Sequence, residues 1–307
     1  MTTGRPLRVG IQLPEVERVV RWPELRDMAV LAEGVGFDSL WLGDHLLYRL
    51  PDGSSRGPWE VWTSLAAIAA ATSRIRIGPL VAATAFHAPA MLAKLAVTVD
   101  EVSGGRLVLG LGAGWNDVEF EAFGFPFDHR IDRFEEAFTV IRTLLREGSI
   151  DFDGRYVQAR HCELLPPPAR PGGPPLLIGS TGPRMLSITM PYADAWNAWY
   201  KQYGNRPEGL PPLLEAVDAA CRAAGRDPAE VERTVAVLVR LPDGAGRIMG
   251  DTAAADVAPL TGDASAIAEG LAAFAAAGID EVQLVVDPIT TGSIEALAPV
   301  LAALDRG

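Results

Sequence analysis

Residues 89–112 read PAMLAKLAVTVDEVSGGRLVLGLG, and this stretch contains the unit from which the rest of the chain is built. Pro89 opens a helix, because the first turn has no intrahelical use for the N–H that proline lacks. Apolar residues continue to Val102, where Ser103-Gly104-Gly105 breaks the helix. Residues 106–112 then form a short, almost wholly apolar run, the pattern of a strand buried on both faces. A helix returning to a doubly buried strand is the repeat of a parallel sheet.

The same alternation extends in both directions. Strands are predicted at residues 7–12, 37–42, 74–81, 106–112, 175–179, 193–199, 231–239 and 281–286. Helices are predicted at 23–35, 59–72, 89–102, 130–147, 184–190, 213–224, 264–277 and 294–304. Eight strands alternating with eight helices meet the requirement for closure into a (β/α)₈ TIM barrel, an α/β fold. All 307 residues are assigned to one such domain with insertion segments near 43–58, 150–175 and 243–260. Asp153-Gly154 between Phe152 and Tyr156 marks a small hairpin. Residues 166–175 read as a Pro/Gly-rich connector. Residues 243–259, with Gly244, Gly246 and Gly250, read as a lid.

Bulk properties narrow the function. A chain 49% hydrophobic and 21% charged fills a large core and lies outside the disordered class. The formal charge of −12 argues against a broad nucleic-acid surface, although it permits a local basic pocket. No apolar run is long enough to span a membrane, and no secretory signal is read at the N-terminus. Cys162 and Cys221 form neither a CxxC pair nor a zinc pattern, which suits reduced thiols in a cytoplasmic protein. No metal site is predicted.

In a barrel the working groups stand at the C-terminal ends of the strands. After the second strand come Gly43, Asp44 and His45. After the third come Val81, Ala82, Ala83 and Thr84. After the fourth come Gly112, Ala113, Gly114, Trp115 and Asn116, and after the fifth Gly179, Ser180, Thr181, Gly182, Pro183 and Arg184. His45 is the leading titratable candidate, since a histidine beside a carboxylate can hold one tautomer and move a proton; a hydrogen-bonded loop histidine is the alternative. His87, His129 and His161 read as structural. Residues 179–184 resemble a phosphate loop, with backbone N–H groups, two hydroxyls and Arg184 ahead of a helix, or else an ordinary βα turn. Gly112-Ala113-Gly114-Trp115 leaves room for a flat ring beside the backbone, with Trp115 stacking on ring or substrate or packing into the core. Glu119 and Glu121 read as a solvated surface or helix start. No G-x-S-x-G elbow and no H-x-H metal pair is present.

Taken in order, these motifs resemble bacterial luciferase-like oxidoreductases, most closely the coenzyme F420-dependent branch. The resemblance is carried by DSLWLGDH (38–45), WEVWTSLAAIAAATSRIRIG (59–78), DEVSGGRLVLGLGAGW (100–115), FEAFGFPFDHRIDRFEEAFTVIRTLL (120–145), IGSTGPR (178–184) and YADAWN (192–197). Pro79 and residues 188–191 depart from the family's usual pattern. The resemblance implies a (β/α)₈ barrel with an insertion, often dimeric, with an isoalloxazine or deazaisoalloxazine in its mouth. It implies that His45, with Asp44 beside it, is the active-site histidine. It also implies a backbone bulge, often a non-prolyl cis peptide, near Val81–Ala83 under the ring. Residues 112–116 would line the ring and 179–184 would hold the phosphate, with Arg184, Lys201 and Arg206 meeting the anionic tail.

The leading expectation is therefore hydride transfer between coenzyme F420 and a small organic substrate. One alternative is an FMN-dependent monooxygenase that uses O₂ and flavin reduced by a partner reductase; another is a non-catalytic flavin-binding barrel.

Overall fold

The computed structural model describes residues 4–246 and 257–306 of the chain. Its strands are β1 (Arg8–Gln12), β2 (Ser39–Leu42), β3 (Arg76–Pro79), β4 (Leu109–Gly112), β5 (Leu176–Gly179), β6 (Ala195–Ala198), β7 (Glu232–Arg240) and β8 (Glu281–Asp287). Each pairs in parallel with the next from β1 to β3 and from β4 to β8, and β8 returns to β1.

The ring closes between β3 and β4 in two places. Below, Ile77 bridges Leu107, with Val108 N–H donating to the Ile77 carbonyl at 2.9 Å. Above, the two-residue strand Ala82–Ala83 pairs with Leu111 and Gly112 of β4. The cis peptide Leu80–Val81 lies between these contacts and involves Val81, the first residue of the stretch where the resemblance implies a bulge.

Eight helices cover the ring: α1 (Trp22–Val35), α2 (Val61–Ala71), α3 (Pro89–Ser103), α4 (Arg130–Glu147), α5 (Pro183–Thr189), α6 (Pro211–Ala223), α7 (Ala264–Ala276) and α8 (Thr291–Leu304). α3 stops where the sequence indicates, because Gly104 takes φ +67°, a left-handed conformation that costs glycine little. The main core lies between the helices and the outer face of the strands. A smaller cluster of Trp41, Leu80, Val108, Leu177 and Ala195 is also buried. Gly10 and Gly78 make space for Trp41: a Cβ on either would fall 2.8 Å from its ring atoms. At the start of β8, Glu281 is buried and bonded by Arg8 at 3.0 Å, Arg76 at 3.2 Å and Ser39 at 2.6 Å.

The insertions take small local forms. Tyr48–Arg49 pairs with Ser55–Arg56, and Ser149–Asp153 pairs with Gln158–Glu163 around the predicted turn. Of the expected lid, residues 247–256 lie outside the described residues. Among the described residues, no helix is long and apolar enough to cross a membrane, and no cluster of His, Cys, Asp and Glu could hold a metal ion. Cys162 and Cys221 are free thiols.

Candidate active site

The C-terminal ends of β1–β6 open onto one cavity of about 520 Å³, a size that suits a cofactor with part of a substrate. Its floor includes Leu80 and Val81 of the cis peptide. The glycines of β4 and β5 accommodate Val81. A Cβ on Gly110, Gly112 or Gly179 would come within 2.9 Å of a Val81 methyl, so the run read as room for a ring also makes room for the bulge.

His45 is held from both sides. Its Nδ1 lies 2.9 Å from Glu119 Oε2, and its Nε2 lies 3.4 Å from Glu15 Oε1. Both carboxylates are buried. Glu119 also accepts the N–H groups of Leu46 at 2.5 Å and Leu47 at 3.1 Å, which fixes the loop that carries the histidine. Glu15 accepts the Tyr48 hydroxyl at 2.5 Å and the Gln12 amide at 2.8 Å. Burial pushes the His45 pKa down, but the charges of Glu15, Glu119 and Asp44 and the Glu119 hydrogen bond outweigh it, so the value is raised. For Glu119, burial opposes ionisation, while His45 and the two backbone N–H groups hold its pKa below the usual range.

Most of the predicted residues converge here. Asp44, His45, Val81, Ala83, Gly112, Ala113, Gly114, Trp115, Gly179, Ser180, Thr181 and Gly182 line the cavity. Several expectations need correction. Asp44 adjoins His45 in sequence, but its carboxylate bonds His87 Nε2 and the Ala83 N–H, each at 2.9 Å; the hydrogen-bonded partner of His45 is Glu119. Glu119 is therefore no surface residue, being fully buried, whereas Glu121 is exposed. Ala82 alternates to the other side of its strand and packs in the main core. Asn116 turns its amide to the Leu47 carbonyl at 3.0 Å. Arg184 points away from the cavity, ion-paired with Asp132 and with Glu135, the latter at 3.2 Å. α5 is only seven residues long and begins with proline, so it offers little as an anion site. Arg206 does not line the cavity, whereas Lys201 does, together with Arg130, whose Nη1 donates to the Gly114 carbonyl at 2.7 Å.

Sequence reasoning missed Gln12, Glu15 and Asn197. The strand-end rule applies equally to the first and sixth strands and would have found all three. Around His45 the rings of Tyr48 and Trp115 lie 4.8 and 5.6 Å away, forming an aromatic wall beside the charged pair. Half of Trp115 is exposed, so its ring is available to a ligand.

Residues 7–246 match the luciferase-like monooxygenase family model. The chain belongs to this family. It is 32% identical over 209 residues to 5,10-methylenetetrahydromethanopterin reductase of Archaeoglobus fulgidus, covering 67% of this chain and 57% of that protein. It is 31% identical over 231 residues to the F420-dependent hydroxymycolic acid dehydrogenase of Mycobacterium tuberculosis, covering 74% and 61%. The matches thus span about three-fifths of the length of these relatives. The fold is also that of an F420-dependent secondary alcohol dehydrogenase in complex with an F420–acetone adduct, with a TM-score of 0.80 at 20% identity over 97% of this chain and 99% of that one.

Proposed function

We propose that this luciferase-like family member is a coenzyme F420-dependent oxidoreductase acting on a small organic substrate. The observation that supports it most is the His45 clamp between Glu15 and Glu119 on the wall of a ring-sized cavity. The cavity fits a flat ring: Gly112, Ala113, Gly114 and Gly179 present little or no side chain, and Leu80 and Val81 give an apolar support. Arg130 and Lys201 are the cations to meet an anionic tail. Bound there, a deazaflavin supplies a site that gives or takes a hydride.

The chain's own residues supply the proton chemistry. The surrounding carboxylates favour the imidazolium form of His45, and that form can protonate a carbonyl oxygen in reduction. In the reverse direction the neutral ring takes the alcohol proton. Glu119 fixes the ring through Nδ1, and Nε2, 3.4 Å from Glu15 Oε1, is the atom that exchanges the proton with the reactant. Glu15 and Glu119 stabilise the charge on the ring, and Trp115, Tyr48 and Trp199 limit water around it. The reductase and dehydrogenase names of the curated relatives support two-electron chemistry, and the F420 in one of those names supports the coenzyme.

The second reading, an FMN monooxygenase served by a reductase, is favoured by the name of the family itself. Parallel fluorescence titrations with F420 and FMN separate the two. The F420 reading requires a Kd at least tenfold lower for the deazaflavin. Tighter FMN binding would overturn it in favour of the monooxygenase.

A further inference from the structure

Gln12 stands at the C-terminal end of β1 and is only 3% exposed. Its Nε2 donates to Glu15 Oε2 at 2.8 Å. A carboxylate only accepts, so this bond fixes the amide orientation and turns Oε1 away from Glu15. Oε1 is buried and has no hydrogen-bond partner. Four such side-chain atoms occur among the described residues, on Gln12, Trp62, Tyr156 and Arg240, and of these residues only Gln12 lines the cavity. An unsatisfied buried acceptor is costly, and a ligand donor that reaches it recovers that cost on binding.

We propose that Gln12 is a specificity-determining residue whose Oε1 accepts a hydrogen bond from the molecule bound in the cavity. This rests on the reading of the cavity as a cofactor and substrate site. The chemistry required is a neutral N–H or O–H donor beside His45. An anion or an ether oxygen would be rejected, because it would set one acceptor against the unpaired Gln12 Oε1. Two reactants carry such a donor: the imide N–H of a flavin or deazaflavin ring, and the hydroxyl of an alcohol substrate.

The test compares the whole protein with Gln12→Met, which keeps the side-chain length and removes the amide. F420, FMN and N3-methyl-FMN are titrated by fluorescence. Thermal protection by 1-phenylethanol is compared with protection by its methyl ether. If Gln12 reads the ring, the variant binds F420 and FMN about tenfold more weakly but binds N3-methyl-FMN as the parent does. If Gln12 reads the substrate, ring affinities are unchanged and the preference for alcohol over ether disappears. If neither ring affinity nor alcohol–ether preference moves, the acceptor is served by water and the proposal fails. Gln12→Asn, which retracts the same amide, replaces Gln12→Met if the latter does not fold and should give a smaller loss in the same arm. Failure of the parent to bind either coenzyme would sink the oxidoreductase reading, while the alcohol–ether comparison would still test Gln12.

Discussion

His45 shows how much of a residue's chemistry comes from neighbours distant in sequence. Its raised pKa depends chiefly on Glu15 and Glu119, 30 and 74 positions away in a chain that brings them together at strand ends. A raised histidine pKa means that the protonated form, and the stability it confers, is fully present below the ordinary value near 6.5 and is lost as pH rises through the folded-state value. Glu119→Gln removes one of the charges that raise it. We expect the imidazolium to titrate at lower pH in this variant, read by NMR of the His45 ring, with the alkaline limb of turnover moving the same way. His45→Ala should lower turnover by about 10²–10³ while changing the F420 Kd less than twofold. Equal loss in both would remove the residue from proton transfer. Arg184→Ala should leave coenzyme affinity nearly unchanged, because this exposed side chain is occupied by Asp132 and Glu135. Arg130→Ala should weaken affinity about tenfold, a loss of ~1.4 kcal/mol, and a titration of the two variants side by side decides which cation matters.

At the scale of elements, glycine acts by what it leaves out. A Cβ on Gly110 would lie 2.1 Å from the Pro79 carbonyl oxygen, an atom that cannot swing aside. Gly110→Ala should therefore cost about 3 kcal/mol by forcing β3 and β4 apart. Gly34, exposed near the end of α1, has nothing within 4 Å. Gly34→Ala should instead stabilise the protein by about 0.5 kcal/mol; denaturant melts of the pair test the contrast. α1 is also tied to the approach of β3 by Glu33, which accepts the N–H groups of Ser73, Arg74 and Ile75 at 2.9, 2.6 and 2.9 Å. Burial opposes its ionisation, but these bonds prevail and lower its pKa to about 2. A depressed carboxylate pKa gives stability that is present above the unfolded value near 4.3 and is lost as pH falls through about 2. Glu33→Gln should accordingly flatten the fall in Tm between roughly pH 5 and 2.

Over the whole molecule, the two ends of the barrel carry different work. The cavity lies at the C-terminal ends of the strands, whereas Glu281, Arg8, Arg76 and Ser39 are joined near the N-terminal ends. Glu281→Leu strips the buried partner from two arginines and should cost about 3 kcal/mol. Coenzyme affinity of the folded variant should be unchanged, because the substitution is at the opposite end from the mouth. A weakened Kd at full folding would show that the ends are coupled.

The alternation of apolar strands with helices by itself determined the barrel, since a strand buried on both faces has to be apolar throughout and its breakers are glycine and proline. It also located the cavity, because the C-terminal strand ends of such a fold share one mouth. The partners inside that mouth were a different matter. Asp44 adjoins His45 in sequence yet turns to His87, while Glu119 lies in the first turn of the short helix Asp117–Phe123 yet is buried against His45. Sequence fixes which residues stand at a strand end. Only the packed loops decide which side chains meet, because burial and backbone N–H groups stabilise one carboxylate in place of another. Arg184 likewise follows a glycine loop that suits phosphate, but the nearby acids of α4 claim its guanidinium. Which neighbours a charge has is set by the closure of the ring, and that closure is a property of the tertiary structure.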